Sequence, residues 1–223
     1  MNEEERGLNH SQHRTIFVPS AARPVTLIGA GGVGSLIAVQ LGKMGVRDLE
    51  VFDDDFVASH NIPASAYGLQ DIGKTKVEAL GQRLKDECDL EIVRHAHRWT
   101  PNESLRETIV MCVDKMDERH AVWEACKRDP LVDLLIDTRV AAEFIRIYAI
   151  DLTDREAVAE YARSVRYASS EAAHTQCGQH GIAHVNGLAA SVAVGMLTAR
   201  WMRGEIPKRC FEFTMSEVRE VPL

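Results

Sequence analysis

Residues 26–34 read Thr-Leu-Ile-Gly-Ala-Gly-Gly-Val-Gly, an apolar strand that continues into a glycine-rich turn and then into a helix. In such a turn the first glycine (Gly29) permits the tight bend, the second (Gly31) lets the backbone approach a phosphate, and the last (Gly34) lets helix and strand pack closely. The helix that begins near Gly32 directs free N–H groups and its positive dipole end at an anion. The stretch therefore predicts a nucleotide site, with a purely structural turn as the alternative.

A carboxylate follows at the distance that a nucleotide site requires. Asp53 ends a second apolar strand about twenty residues after the turn, where it can accept hydrogen bonds from ribose hydroxyls. Predicted strands and helices alternate along the chain, which is typical of a doubly wound α/β fold. We expect a Rossmann-like, mostly parallel sheet with antiparallel strands near the C-terminus. A strand at residues 90–95, a helix from Lys74 and a long helix at 182–202 are among its predicted elements.

Length and composition limit the class of protein. The 223 residues allow one substantial core, so residues 21–223 are expected to form a single domain after a flexible N-terminal arm at residues 1–20. A formal net charge of -7 argues against a broad nucleic-acid-binding face. The long helix contains too many polar residues to cross a bilayer, so no membrane contact is expected. The five cysteines form no closely spaced pairs, which favours a reducing cytoplasm over a disulfide framework.

Three motifs downstream of the turn are more specific than the glycines. They are Asp-Asp-Asp-Phe-Val-Ala-Ser-His-Asn at residues 53–61, Asp-Ile-Gly-Lys-Thr-Lys at 71–76 and Val-Asp-Lys-Met-Asp-Glu-Arg at 113–119. With these motifs in this order, the chain resembles the ubiquitin-activating-enzyme-like superfamily, especially its small bacterial ThiF/MoeB/HesA-type adenylyltransferases. Those proteins share the patterns D-x-D-x-V-x-x-x-N and G-x-x-K, and an aspartate after the fourth strand. The resemblance implies ATP as the nucleotide and adenylation of a carboxyl terminus.

The resemblance also assigns roles to side chains. Asp55 and Asn61 match positions that touch the nucleotide or its phosphates, and Asp114 matches the aspartate that holds Mg²⁺. Lys76 and its neighbour Lys74 lie early in a predicted helix, where an ammonium group can reach a phosphate as a point charge. Each assignment has a structural alternative: solvated lysines, an Asx turn in the loop, and an N-cap for the helix that follows Asp114.

Cys177 is the candidate nucleophile. The run Cys-Gly-Gln-His-Gly-Ile at residues 177–182 resembles the C-x-x-x-G-V run of ThiF and MoeB proteins, some of which use this cysteine to take over the activated acyl group or sulfur. The helix after it would favour the thiolate, and a packed, unreactive cysteine is the alternative. Cys177, His180 and His184 also have ligand-like spacing, but histidines satisfied by helix ends or solvent are the preferred interpretation. The structural zinc of many relatives needs two C-x-x-C pairs, which this chain lacks, so none is expected.

The chain departs from the family pattern at two positions. The usual phosphate-binding arginine is replaced by Ala64, and the asparagine after the magnesium aspartate is replaced by Lys115. Lys74 could compensate for the missing arginine. The resemblance also implies a homodimer, in which Arg6 or Arg14 of the N-terminal arm could reach the site of a second copy. These substitutions leave open a weakened or inactive site.

The leading prediction is an ATP- and Mg²⁺-dependent adenylyltransferase. It would activate the C-terminal carboxylate of a small ubiquitin-like or sulfur-carrier protein, or of a peptide, and release pyrophosphate. A nicotinamide- or flavin-dependent oxidoreductase could use the same turn and Asp53, but the motifs that contain Lys76 and Asp114 disfavour it. A non-catalytic scaffold subunit would account for the substitutions at Ala64 and Lys115.

Overall fold

The computed structural model describes residues 8–166, 181–206 and 209–214. Within this part of the chain, seven strands form one sheet in the order β3-β2-β1-β4-β5-β6-β7. The strands are β1 (Val25–Ile28), β2 (Leu49–Phe52), β3 (Val93–His95), β4 (Thr108–Met111), β5 (Leu134–Ala141), β6 (Phe144–Asp151) and β7 (Cys210–Thr214). The α-helices of the described residues are α1 (Gly32–Lys43), α2 (Lys76–Cys88), α3 (Met116–Cys126), α4 (Arg155–Ser164) and α5 (Ala183–Arg203). The connection from β2 to α2 contains the 3₁₀ helices Ser59–Ala64 and Leu69–Asp71.

The sheet is parallel from β3 to β5 and antiparallel at β6 and β7. The strand order reverses at β1, because β2 pairs with one of its edges and β4 with the other. Ile28 therefore lies opposite both Phe52 and Met111, and the carboxyl ends of these three strands are level. Ligands of doubly wound sheets bind in the crevice at such a switch point. The predicted fold class is confirmed.

Helices cover both faces of the sheet. On one face α1, α2 and α5 form a core in which Leu27, Ile37 and Leu197 have no exposed surface. On the other face α3 and α4 pack around the buried rings of Trp123 and Tyr161. Because both faces are covered, the central strands β1 and β4 have buried side chains on each side, which explains their largely apolar sequence.

The start of α2 differs from the predicted one. The helix begins at Lys76 rather than at Lys74, because Thr75 is its N-cap. The Thr75 hydroxyl accepts the N–H of Glu78, and the Glu78 carboxylate accepts the N–H of Thr75 in return. This capping box satisfies two N–H groups that the helix itself leaves without partners.

The start of β3 also differs from the predicted one. The strand begins at Val93 rather than at residue 90, because Leu90 completes the end of α2. Asp89 adopts a left-handed conformation there (φ 47°), and the N–H of Leu90 donates to the carbonyl oxygen of Leu84. The apolar side chain of Leu90 is buried at the end of the helix. Hydrophobicity alone therefore could not distinguish this cap contact from the start of a strand.

Two further packing contacts define the body of the protein. Ala189, Ala190 and Ala193 of α5 are fully buried, and their small size permits close packing of α5 against α1. Phe17, from the segment predicted as an arm, is 2% exposed, and its ring lies 6.2 Å from that of Trp201. The division of the chain at residue 20 stays a prediction.

Within the described residues, no helix combines the length and the apolar character needed to span a membrane.

Candidate functional site

The glycine-rich turn lies at the carboxyl end of β1. Gly29 has φ +94°, and a Cβ at this position would lie 2.6 Å from the carbonyl oxygen of Cys112. A Cβ on Gly34 would overlap the carbonyl oxygen of Gly29. Among the described residues, nothing lies within 4 Å of the Cβ position of Gly31. The first and last glycines are thus required by packing, whereas Gly31 borders open space that a ligand can enter.

Alanine substitutions separate these two roles. Gly34→Ala is expected to lower the free energy of unfolding by roughly 1–3 kcal/mol or more, because the new methyl group forces α1 away from β1. This loss should exceed the gain of about 1 kcal/mol that alanine has over glycine inside a helix. Gly31→Ala is the matched control and should change the free energy of unfolding by no more than about 0.5 kcal/mol. Urea unfolding measures both, and a Gly34→Ala protein as stable as wild type would contradict the packing role.

Asn186 of α5 packs against the glycine-rich turn and hydrogen-bonds to two neighbouring segments. Gly31 is the N-cap of α1 and, as a glycine, offers no side-chain cap to the first N–H groups of the helix, which lie next to the open space. The Asn186 side chain, only 4% exposed, donates to the carbonyl oxygens of Ala64 (2.8 Å) and Gly181 (3.0 Å). A Cβ on Gly32 would overlap the Asn186 amide. The sequence did not indicate this role, because Ala64 lies 122 positions away along the chain.

Asp53 lies directly after β2 and is tied to the turn. Its Oδ2 accepts the N–H of Ala30 (2.7 Å), and its Oδ1 accepts the N–H of Asp55 (2.9 Å). The buried Tyr67 hydroxyl donates to the carbonyl oxygen of Ala30 (2.5 Å) from the other side. Burial raises the pKa of the Asp53 carboxyl, an effect that the Lys76 ammonium and the two N–H groups oppose. The carboxylate therefore fixes the turn, and its contact with a ribose stays a prediction.

Lys76 meets the two predicted carboxylates. Its Nζ lies 2.8 Å from Oδ2 of Asp55 and 3.6 Å from Oδ1 of Asp53, and the residue is only 7% exposed. Lys74 instead pairs with Asp71 (3.0 Å) and has a half-exposed side chain. The structure thus separates the two lysines: Lys76, the leading candidate from the sequence, lies in the carboxylate cluster, and Lys74 lies outside it. Their contacts with phosphate stay predictions.

Asn61 makes a local contact. Its Oδ1 accepts the N–H of Ala58 (2.8 Å), and its carbonyl oxygen accepts the Ser65 hydroxyl (2.7 Å). These bonds cap the 3₁₀ helix Ser59–Ala64, whose N-cap is Ala58. They are not the Asx turn given as the structural alternative, in which the side chain accepts the N–H two residues further along the chain. The side-chain NH₂ group takes no part in these bonds, and its predicted contact with the nucleotide stays a prediction.

Asp114 is exposed at the carboxyl end of β4. Lys115 is the N-cap of α3 and makes no side-chain cap, so Asp114 does not have the capping role given as its structural alternative. In the part of the chain that the structure describes, the Asp114 carboxylate makes no hydrogen bond or ion pair. Mg²⁺ takes carboxylate and phosphate oxygens together, and an exposed, unpaired carboxylate at this edge of the sheet fits that requirement. The magnesium assignment itself stays a prediction.

A buried ionic network lies one strand away. Asp137 of β5 is fully buried and accepts hydrogen bonds from Arg119 of α3, from Nε of Arg139 (2.8 Å) and from the Tyr161 hydroxyl (2.8 Å). Burial raises the pKa of Tyr161 to about 12. The Arg139 guanidinium also stacks over the ring of Tyr148, 4.7 Å from its centroid. The sequence leaves open whether Arg139 contacts a substrate or forms an ion pair with Asp137. The structure shows the ion pair and adds Arg119 and Tyr161 from other elements.

The remaining candidates lie at or beyond the edge of the described residues. Cys177 and His180 are outside them, so the nucleophile role and the metal alternative stay predictions. His184 is exposed at the start of α5. The described cysteines are free thiols, and burial raises the pKa of Cys112 to about 11 and that of Cys126 to about 12. Such thiols carry little thiolate near neutral pH and are poor nucleophiles.

Fold and site together define a nucleotide-binding class of doubly wound α/β protein. An open glycine turn, a helix N-terminus and an acidic strand end meet where the strand order of the sheet reverses. The chain belongs to the ThiF family, whose pattern it matches over residues 21–202. The resemblance stated from the sequence motifs is thereby confirmed.

Curated relatives match about half of the chain. Ubiquitin-like modifier-activating enzyme 5 of Caenorhabditis briggsae is 31% identical over 124 residues, which make up 48% of this chain and 29% of that protein. tRNA threonylcarbamoyladenosine dehydratase 2 of Saccharomyces cerevisiae is 29% identical over 105 residues, which make up 43% of this chain and 24% of that protein. The match thus spans less than a third of the length of either relative.

Solved structures share the fold over most of the chain. A crystal structure of PaaA has a TM-score of 0.70 at 15% identity and covers 90% of this chain and 63% of PaaA. A crystal structure of E. coli MccB with ATP has a TM-score of 0.67 at 15% identity and covers 90% of this chain and 62% of MccB. At this identity the likeness shows the fold alone.

Proposed function

We propose that this protein is an ATP-dependent adenylyltransferase that activates the C-terminal carboxylate of a small ubiquitin-like or sulfur-carrier protein, or of a peptide. One observation carries the proposal: an open glycine turn, the buried Lys76 and the unpaired Asp114 converge at the carboxyl edge of β1, β2 and β4. Membership of the ThiF family and the partial match to a ubiquitin-like modifier-activating enzyme support it. The structural neighbour MccB has been crystallised with ATP, and with AMPCPP and MccA.

The proposed reaction transfers AMP to a carboxylate. A carboxylate oxygen of the substrate attacks the α-phosphorus of ATP, the bond from this phosphorus to the bridging oxygen breaks, and pyrophosphate leaves with the electron pair. The first N–H groups of α1, behind Gly31, would bind and orient the phosphates. Asp114 would hold Mg²⁺, which supplies charge neutralisation on the phosphate oxygens when bound.

Lys76 would neutralise charge on the departing phosphates. To do so, its ammonium group must exchange the Asp55 carboxylate for a phosphate oxygen. The Asp55 side chain is 64% exposed, and ion pairs with so exposed a partner are weak. The exchange therefore costs little, while the buried Asp53 continues to hold the lysine at the strand end.

Finer features belong to the same proposal. The protein would act in the cytoplasm as a homodimer, in which the exposed Arg14 of one copy supplies the cation that Ala64 lacks. Arg6 could supply this cation in place of Arg14. Cys177 would take over the acyl group from the adenylate, with AMP as the leaving group. Both Cys177 and Arg6 lie outside the described residues, so the roles proposed for them rest on the family resemblance.

Thermal melting of the pure protein with MgATP, AMP, NADH and NADPH in parallel tests the nucleotide. A ligand at a hundred times its Kd adds about 2.7 kcal/mol to the free energy of unfolding, so a genuine site produces a clear rise in Tm. We expect stabilisation by MgATP. Stabilisation by NADH alone would indicate an oxidoreductase instead, and no response to any of the four would favour a scaffold subunit.

Lys76→Ala is expected to raise the Kd for MgATP by about 10- to 100-fold, because hydrogen bonds to charged groups contribute about 1.5–3 kcal/mol. Isothermal titration calorimetry measures this change. Lys85→Ala is the matched control: this lysine also belongs to α2, but its ammonium group pairs with Asp89 (2.7 Å) at the far end of the helix, so the Kd should remain near the wild-type value. An unchanged Kd in Lys76→Ala, or an equal loss in both variants, would contradict the assignment of Lys76.

A further inference from the structure

A second group of potential ligands lies at the β3 edge of the sheet, beside the nucleotide site: the N–H of Asp53 donates to the carbonyl oxygen of His95 (3.2 Å). One ring nitrogen each of His95 and His97 and a carboxylate oxygen of Glu103 lie within 4.8 Å of one another. His95 is the last residue of β3, and the other two belong to the connection at residues 96–107 that leads to β4. The family motifs do not include these residues, and the sequence analysis did not single them out.

The orientation of His97 leaves two acceptors facing one another. Its Nδ1 lies 3.0 Å from the carbonyl oxygen of Arg98, and because a carbonyl can only accept, Nδ1 carries the proton. In the neutral ring Nε2 is then an acceptor, and it lies 3.5 Å from Oε1 of Glu103. Two acceptors at this distance repel each other unless a cation lies between them.

Hydrogen bonds hold the Glu103 carboxylate so that one of its oxygens faces His97. Its Oε2 accepts the backbone N–H of Thr100 (2.7 Å) and the Thr100 hydroxyl (3.2 Å), which leaves Oε1 towards His97. The separation of 3.5 Å is longer than a hydrogen bond but close to the roughly 3.3 Å between two ligand atoms of a tetrahedral zinc ion with bonds of about 2.0 Å. Ligands with their second polar atom held by the backbone are typical of metal sites.

His95 is the third ligand and the most constrained of them. Its ring stacks on Phe52, with 3.9 Å between the centroids and 4° between the planes. Its Nε2 is buried and makes no hydrogen bond within the described residues, although Oε2 of the buried Glu50 lies 3.7 Å away. The Glu50 carboxylate can accept the Nε2–H, the arrangement that orients many metal-ligating histidines, and Nδ1 is then the nitrogen that would bind the ion.

We infer that His95, His97 and Glu103 form a binding site for a divalent transition metal ion, with Zn²⁺ as the preferred occupant. Two imidazoles and one carboxylate are a common ligand set for zinc and leave its fourth position to water. Mg²⁺ takes oxygen ligands, so this site is chemically distinct from the one proposed at Asp114. The ion would hold the 96–107 connection against β3. In that connection Arg98 donates to Asp54 (2.8 Å) and Glu118 (2.6 Å), beside the nucleotide site.

Zinc binding to the full-length chain tests the inference without any substrate. The protein, free of affinity tag and treated with chelator, is titrated with Zn²⁺ by calorimetry in the presence of excess Mg²⁺, and Co²⁺ absorption reports the ligand geometry. We expect one ion per chain and a higher Tm with Zn²⁺. His97→Gln and Glu103→Gln should each weaken binding by roughly 100-fold, since loss of an outer partner alone costs about 10- to 100-fold.

A matched control uses the exposed pair His120 and Glu124 of α3, whose Nε2 and Oε1 are 4.0 Å apart. His120→Gln should bind zinc as wild type does. Because His97 and Glu103 are partly exposed, their variants should fold normally, which circular dichroism of the metal-free proteins checks. The absence of saturable binding to wild type, or wild-type affinity in His97→Gln and Glu103→Gln, would overturn the inference. In that case a proton shared by His97 and Glu103 replaces the metal.

Discussion

Asp114→Ala is expected to lower the rate of ATP–pyrophosphate exchange by a factor of about 10² to 10³, the usual cost of removing one stabilising contact to a transition state. The substitution removes the proposed carboxylate ligand of Mg²⁺, so negative charge on the phosphates is no longer neutralised where pyrophosphate leaves. Stability should not change, because the Asp114 carboxylate makes no hydrogen bond or ion pair within the described residues.

Exchange is measured with a carboxyl-terminal partner that supports it in the wild-type protein. Asp117→Asn is the control, since Asp117 is an exposed carboxylate in the first turn of α3 and has no proposed catalytic role. A substrate-free measurement comes from calorimetry: wild type should bind ATP more tightly with Mg²⁺ than without it, and Asp114→Ala should lose that difference. Normal exchange by Asp114→Ala would contradict the assignment of Asp114 as the Mg²⁺ ligand, but it would not contradict the assignment of the nucleotide site.

Asp137→Ala is expected to lower the free energy of unfolding by about 3–5 kcal/mol, the largest stability effect that we predict. The substitution leaves Arg119 buried (3% exposed) without its carboxylate, and removes the partner of Arg139 and of the Tyr161 hydroxyl. Once the Asp137 carboxylate is gone, part of the desolvation cost of the buried Arg119 guanidinium is no longer offset. Urea unfolding followed by circular dichroism gives the value.

The control for Asp137→Ala is an ion pair of similar composition at the surface. Glu124→Gln breaks contacts with Lys127 (2.6 Å) and Arg128 (3.5 Å) in and after α3 and should cost no more than about 1 kcal/mol, because exposed pairs are solvated and screened. A loss below about 1 kcal/mol for Asp137→Ala as well would mean that the network contributes little. The replacement of both Asp137 and Arg119 by apolar residues should recover part of the loss, since no charge then stays buried.

Much of the fold could be predicted from short stretches of the sequence. The glycine turn, the acidic end of β2 and the alternation of apolar strands with helices predict a doubly wound sheet, because each of these signals arises from neighbours in sequence. The two shifted boundaries, at Lys76 and Val93, lie at caps. A capping residue and the first residue of an element have similar local patterns, so their contacts are needed to tell them apart.

Those residues of the candidate site that belong to contiguous motifs could be predicted from the sequence. Asp53, Asp55 and Lys76 were predicted as a group, and the structure brings them together with a distance of 2.8 Å between the Lys76 Nζ and Asp55. The sequence favoured Lys76 over Lys74 but did not predict the carboxylate that each would contact. The two lysines lie on opposite sides of the N-cap of α2, and the direction of each side chain depends on which carboxylate the folded loop presents to it.

Local patterns thus account for the elements, for the glycine turn and for the acidic edge of the sheet. They do not account for contacts between distant segments. Asn186 reaches Ala64 across 122 positions, and Arg119 of α3 meets Asp137 of β5 in the core. Side chains of this kind have no periodicity that marks them, because their partners are chosen by the crossing of strands and helices rather than by spacing along the chain. The polar contacts that stabilise the turn and the interior were therefore visible only once the chain was folded, since burial is what makes each of them necessary.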